Sequence, residues 1–372
     1  MAFTLQTLAD VLDEIAPVAL AYSWDNIGLQ IGDPASRVRR VLVALEVDPA
    51  VIAEARRKKA QAIVAHHPLI FLPPKSLLTS DPVGKLVHTL VKAGIGLVVA
   101  HTNLDKSPVG TNRALADKIG LGKCEILEPD RTPEECKLVV FVPAGHEQKI
   151  IEAIARGGGG VIGNYSHCTF RSRGTGTFFP LEGARPYIGK AGQLEAVEEF
   201  RLEAVVARRK LRRVVAEMLE AHPYEEVAYD VYPLEPQKTR WGLGLVGDLK
   251  EAVTLQNLAR RAKRSLGVAK VDVIGSLRKK VKRVAVSSGA GNETVRSLTA
   301  GQADVLVTGE ISYHTAQEAK MRGIAVLAVS HYASEYCVAK HLAKILNKHE
   351  KFLRSGVEAI ASQVKFDPVV NV

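Results

Sequence analysis

Short, unbroken apolar runs separated by helix-periodic segments constrain this chain more than any other feature. Val41–Leu45, Ala62–Ala65 and Gly96–Ala100 are such runs in the first third, and Val284–Val286, Val305–Val307 and Ala325–Val329 in the last. A strand with one wet face alternates apolar and polar residues, whereas a continuous run has to be covered on both faces. The segments Ile52–Ala60 and Val83–Ala93 between them carry helical spacing, so the pattern predicts parallel strands joined by helices. Leu5, Leu8, Val11, Leu12 and Ile15 likewise predict an amphipathic helix at the N-terminus rather than a signal peptide.

The texture changes near Gly120. Leu138–Pro143 reads as a strand and Glu147–Ala155 as a helix, with Gly157–Gly160 as its stop. A Gly- and Thr-rich stretch (171–176), a basic helix pattern (about 208–221) and the alternating strand Val227–Tyr232 follow. This order fits a small ferredoxin-like α+β module, with Pro233, Pro236 and Gly242 marking its exit. With 372 residues the chain is long enough for two domains or three. The expected organisation is a two-lobed α/β domain with mostly parallel sheets, residues 1–125 and 236–372, interrupted by an inserted module at 126–235.

Composition narrows the function classes. Hydrophobic residues make up 47% and charged residues 24%, as in a soluble globular protein, and no apolar stretch is long enough to span a membrane. Cys124, Cys136, Cys168 and Cys337 form no Cys-x-x-Cys pair, which suits a reducing cytoplasm and argues against a disulfide framework or zinc ribbon. The formal charge of +10 favours anionic partners. Runs such as Arg260-Arg261, Lys263-Arg264 and Arg278-Lys279-Lys280 read as solvated faces, with a phosphate or nucleic-acid surface as the alternative. Aromatic residues are only 5%, which does not suggest a platform for base stacking.

In open α/β sheets, ligands bind outside the carboxyl ends of the strands. His66, His67, Asp105 and His331 all fall just past such ends, and Glu335 lies four residues after His331, on the same face if a helix starts there. Each has an ordinary reading alone: a polar loop for the paired histidines, an N-cap or turn for Asp105, a surface pair for His331 and Glu335. Their coincidence at one sheet edge favours a metal site. Imidazole with carboxylate suits zinc, iron, manganese, cobalt or nickel, and five ligands leave positions open for water. His101 is a candidate first for supporting these ligands or lining the pocket and second for joining them; Glu310 and His314 are candidates for general acid or base work or for a hydrogen-bonded structural pair, and His101 is a weak catalytic candidate with them. Asp25 and Asn26 are candidates to orient a ligand or tie down their loop. Ser287–Asn292 is a weak phosphate-loop candidate, and His167-Cys168 and His222/Glu225/Glu226 are weak metal candidates.

The stretches Ser23–Leu29 (SWDNIGL), His66–Phe71 (HHPLIF), His101–Asp105 (HTNLD) and His331–Glu335 (HYASE) together resemble the Nif-three-like proteins, also named GTP cyclohydrolase type-2 homologues. The resemblance runs nearly end to end. It implies two divalent metal ions per chain (zinc, iron or manganese), held by His66, His67, Asp105, His331 and Glu335 with Glu335 as the bridge, and a toroidal homohexamer. Residues 164–183 with His222–Glu226 are similar to that family's inserted domain, which resembles trimeric ion-tolerance and nitrogen-signalling modules. One position departs from the family pattern: Ser330 stands where Gly usually precedes the last histidine, and a residue with a Cβ restricts the backbone there.

The resemblance, with the metal-type residues, implies a metal-dependent hydrolase acting through an activated water on a nucleotide or related phosphorylated compound, the substrate class coming from the family name. The alternative is a non-enzymatic metal-binding or regulatory ring. Nucleic-acid binding through the basic surface is a third reading.

Overall fold

The computed structural model describes residues 2–130, 135–235, 239–365 and 367–369; Pro236, marked by sequence as part of the insert's exit, lies outside them. The chain divides into two units, residues 1–130 with 240–372, and residues 131–239.

The first unit starts with α1 (Leu5–Ile15), whose five apolar residues are all buried and whose N-terminus is capped by the Thr4 hydroxyl, which accepts from the Thr7 amide. There follow β1 (Gly28–Ile31), β2 (Arg40–Ala44), α2 (Pro49–Arg57), β3 (Ala62–Ala65), α3 (Pro82–Ala93), β4 (Gly96–Val99), the short α4 (Thr102–Asp105), α5 (Thr111–Ile119) and β5 (Cys124–Pro129). Helices α2 and α3 begin alike, with an Asp cap (Asp48, Asp81) and a proline in the first turn, where the missing N–H costs nothing.

The second unit contains β6 (Glu135–Pro143), α6 (Glu147–Gly157), β7 (Thr169–Phe178), β8 (Glu195–Ala207), α7 (Leu211–Ala221) and β9 (Tyr229–Pro233). Its antiparallel sheet has the order β7-β8-β6-β9, the ferredoxin-like arrangement. Leu138, Val140, Ile150, Ile154, Leu202, Val206, Val214 and Met218 form its core.

The chain then returns to the first unit with β10 (Gly242–Thr254), α8 (Leu255–Leu266), β11 (Asp272–Ile274), β12 (Lys280–Ala290), α9 (Asn292–Ser297), β13 (Val305–Glu310), α10 (Tyr313–Met321), β14 (Ala325–Ala328), α11 (His331–Glu335), α12 (Val338–Lys348), α13 (Glu350–Ser355) and β15 (Glu358–Ala361). Two sheets result, β1-β4-β3-β2-β15 and β11-β14-β13-β12-β10-β5. The first is parallel except for β1; the second is mixed, with parallel pairing confined to β12-β13-β14. Strand β15 completes the first sheet and β5 the second, so each lobe borrows a strand from the far end of the chain.

Successive residues of a strand point to opposite faces, and each sheet is covered on both. Val41, Val43 and Val64 pack under α1, α12 and Phe352, while Leu42, Ile63 and Leu97 pack against α2 and α3. In the second sheet Val284, Val286 and Val305 meet α5 and α8; Ala285, Leu306 and Val326 meet α9 and α10. Burying each such side chain contributes about 1.5–3 kcal/mol, which makes the strand ends a rigid base for loops. Among the described residues no helix is long and apolar enough to cross a membrane.

Candidate metal centre

Each site residue follows a strand whose position the core fixes. His66 and His67 come directly after β3, His101 after β4, and Asp105 ends α4; Glu46 lies just beyond β2, Glu310 ends β13, and His331 and Glu335 open and close α11. The one-turn helix α11 puts His331 and Glu335 on one face, as i, i+4 spacing requires.

Three groups converge. His67, His331 and Glu335 form one triad, His66, Asp105 and Glu335 another, and His66, His67 and His101 a third, with the donor atoms of each triad within 4.8 Å of one another. Glu335 belongs to the first two and is 3% exposed. Its Oε2 lies 3.0 Å from His67 Nε2 and 3.2 Å from His331 Nε2, and its Oε1 lies 3.8 Å from His66 Nε2. His66 Nε2 is 3.6 Å from an Asp105 oxygen.

The other ring nitrogen of every histidine is already committed. His66 Nδ1 donates to the Ala100 carbonyl (2.9 Å), His67 Nδ1 to Glu46 Oε1 (2.6 Å), His101 Nδ1 to Asp25 Oδ1 (2.9 Å) and His331 Nδ1 to Glu310 Oε1 (3.1 Å). This is how ligating imidazoles are held, with the far nitrogen on a carboxylate or carbonyl so that ring orientation is fixed. The second carboxylate is held as well: Thr111 Oγ1 donates to Asp105 Oδ1 (2.5 Å), and Asn112 Nδ2 to the Asp105 carbonyl (2.8 Å).

Two buried atoms at the centre, His66 Nε2 and Glu335 Oε2, have no hydrogen bond of proper geometry although polar atoms surround them. Leaving such groups unsatisfied costs about 1–3 kcal/mol each, and a shared cation removes that cost. The proton balance fits as well. Burial disfavours a charged His67 ring, but Glu335 and Glu46 outweigh it and push its pKa up to about 10. Glu335 raises His331 to about 9. Burial would raise Glu335, yet the imidazoles of His331, His66 and His67 hold it well below the usual carboxylate range. Burial, with Glu335 adding to it, raises Asp105 against the pull of His66. Protons on the rings thus neutralise carboxylates that a divalent ion would neutralise instead, so the residues fit a metal.

Comparison with known proteins places this geometry. The profile of the Duf34/NIF3 (NGG1p interacting factor 3) family matches residues 3–368. The chain belongs to that family. It is 41% identical over 363 residues to a Halalkalibacterium halodurans protein named GTP cyclohydrolase 1 type 2 homolog, covering 98% of this chain and 97% of that protein. It is 40% identical over 366 residues to a Bacillus subtilis protein of the same name, covering 98% and 97%. Among solved structures it is similar to a Bacillus cereus protein related to NIF3 (41% identity, TM-score 0.75, 99% of both chains) and to a Staphylococcus aureus protein (28% identity, TM-score 0.78, 99% of both).

Within this NIF3 chain, the five residues singled out by sequence lie together, with His101 beside them. Glu310 backs His331, while His314 is exposed on α10 against Tyr313 and joins none of the clusters among the described residues. Asp25 is a strut: burial would raise its pKa, but His101 and Thr102 bring it down to about 2. The two glycines of the Ser287–Asn292 segment serve packing, Gly291 against Thr308 and Gly289 against Glu335. Gly289 has φ +66°, and a Cβ there would stand 2.5 Å from Glu335 Oε1. Both ring nitrogens of His222 are used within its own unit, by the Phe141 carbonyl and the Tyr224 amide. His167 and Cys168 join no metal-type cluster among the described residues. Glu46 was absent from the sequence reading, although it directly follows the apolar run ending at Leu45 and so satisfies the same strand-end rule.

A cleft of about 1380 Å³ opens from His67, Glu310 and His331. Its lining mixes lysines (Lys118, Lys270, Lys340, Lys344, Lys365) with the carboxylates Glu46, Asp117, Asp272, Glu310 and Asp367.

Proposed function

We propose that this chain is a dinuclear metal-dependent hydrolase of a nucleotide or related phosphorylated compound. The observation that carries the proposal is the sharing of Glu335 between two ligand triads, each completed by groups already fixed from behind. In this reading His67, His331 and Glu335 would hold one ion, and His66, Asp105 and Glu335 a second, with His101 beside His66 and His67. A divalent pair held there would supply Lewis-acid polarisation of a phosphoryl or ring-carbon electrophile and a water with its pKa lowered towards about 7.

The chain's own residues do the rest. Glu46, Glu310, Asp25 and Thr111 keep the ligands from rotating. Glu310, whose side chain is 60% exposed at the cleft, is the carboxylate placed to accept a proton. Lysines along the cleft supply donors for a phosphate among carboxylates of the same lining. The assembly proposed from the family resemblance is a homohexamer, which sedimentation of the purified chain measures directly.

Turnover of GTP and a panel of phosphoesters, with metal-loaded and chelated protein, tests the proposal. Activity lost on chelation and restored by one metal is expected; no metal-dependent turnover on any of them refutes it. Elemental analysis is expected to give two ions per chain.

A further inference from the structure

Beside the metal centre the molecule keeps large aromatic surface in water. Trp24 is 54% exposed and Phe71 45%. Trp24 stacks on Tyr22 (centroids 5.5 Å apart, planes at 15°), tilts against Phe71 (5.9 Å) and meets the His101 ring edge-on (6.3 Å). His101 in turn lies 5.2 Å from His66 and 5.5 Å from His67, ring to ring. A continuous set of rings therefore leads from the surface to the ligand cluster.

The set is held stiffly. The neighbouring Asp25 is bonded to His101 and to Thr102 through both oxygens. Asn26 Nδ2 donates to the Ile70 carbonyl, as does Gln30 Nε2, and the Ile70 amide donates back to Gln30 Oε1. The loops that present Trp24 and Phe71 are thus tied to each other and to the His101 turn. Lys106 Nζ sits 4.4 Å from the Tyr22 centroid and is itself paired with Asp130 at 2.8 Å, which fixes it behind the stack. Small-molecule sites pair such apolar rings with a few fixed polar groups, and a flat rigid ring next to reactive groups suits a flat partner.

We infer that Trp24, supported by Tyr22 and Phe71, is the platform on which a planar heteroaromatic base of the substrate stacks. The inference rests on the nucleotide reading above and adds which chemical feature is recognised and where. It runs against the expectation drawn from aromatic content, and the binding experiment decides between them.

Binding of AMP, GMP and ribose 5-phosphate to the full chain as purified tests this, by calorimetry and by tryptophan fluorescence. Trp24 is exposed, whereas Trp241, the other tryptophan, is 4% exposed, so a stacked base quenches mainly Trp24. Trp24→Ala is expected to weaken both nucleotides about 5- to 150-fold, the usual range for losing one stacked base. Trp24→Phe should retain most of the affinity, and ribose 5-phosphate should bind both variants and wild type alike. Equal nucleotide affinity in wild type and Trp24→Ala, or no nucleotide binding, overturns the inference. So does a change of oligomeric state in Trp24→Ala, which would mark the rings as a contact between copies. Metal content and turnover are separate readouts: a metal-bearing active protein without base binding sinks this inference alone, and base binding without metal sinks the hydrolase reading.

Discussion

Ser330 should be a strained residue, and replacing it separates strain from capping. Its backbone sits at φ +85°, ψ 147°, a region that essentially only glycine occupies without penalty. Holding a residue with a Cβ there costs about 1–3 kcal/mol. The same residue caps α11, its Oγ accepting from the Ala333 amide at 3.1 Å. Ser330→Gly removes the strain, gives up only a few tenths of a kcal/mol of capping, and loses about 0.4–1 kcal/mol to the freer unfolded chain. The sum is about 0–2 kcal/mol of added stability. Ser330→Ala keeps the strain and loses the cap, so it should be about 0.5–2 kcal/mol less stable than wild type. In a unit of this size each 1 kcal/mol moves Tm by about 2–4 °C. Thermal unfolding of chelated protein, so that metal binding does not enter, reads the order Gly, then Ser, then Ala. Ala equal to or above Gly would refute the reasoning, since it would mean that the backbone before His331 carries no strain. Metal content should be the same in Ser330→Gly and wild type, because no ligand is removed.

Three further predictions follow from the packing around the centre and its base. His67→Ala should lose most bound metal, and in the chelated protein it should also cost about 1–3 kcal/mol, because the ring that offsets the buried Glu335 carboxylate at 3.0 Å is gone; equal metal in both proteins counts against His67 as a ligand. Gly289→Ala places a Cβ 2.5 Å from Glu335 Oε1 at a positive φ, so it should lose about 1–2 kcal/mol from backbone strain and some metal as Glu335 is displaced, with denaturation and elemental analysis as the readouts. Glu54, 1% exposed, accepts from Ser362 Oγ (2.5 Å) and pairs with Lys58 (2.9 Å); burial would raise its pKa, but these partners lower it below 4.5. Its stabilisation is therefore complete above pH 4.5 and fades as pH falls through the lower folded value, so Glu54→Gln should cost about 1.5–3 kcal/mol at pH 7 and progressively less in acid. A cost that does not change with pH would show that the charge is not what stabilises.

What could be read from the sequence was whatever depends on neighbours along the chain. The run Ala62–Ala65 spells a strand because both its faces are buried, and β3 has those same limits. Leu5 to Ile15 spells α1 because one helical stripe enters the core. Strand β7 gave no such signal: Thr169–Phe178 is mostly exposed, so no burial pattern is written into it. The exchange of β5 and β15 between lobes was also invisible, since a strand's own residues do not specify which sheet edge it joins. The centre divides along the same line. His66, His67 and His331 were legible because strand ends announce where side chains gather. The strand-end rule also covered Glu46, but a glutamate beside no second ligand looks like any surface residue until His67 Nδ1 is seen to reach it. The ring set of Trp24, Tyr22 and Phe71 is likewise a matter of placement: 5% aromatic content does not say where the rings gather, and here Asp25, Asn26 and Gln30 tie the loops that carry them. Ser330 lies between the two cases. Its departure from glycine was plain in the sequence, but only the backbone angle turns that departure into a strain with a sign.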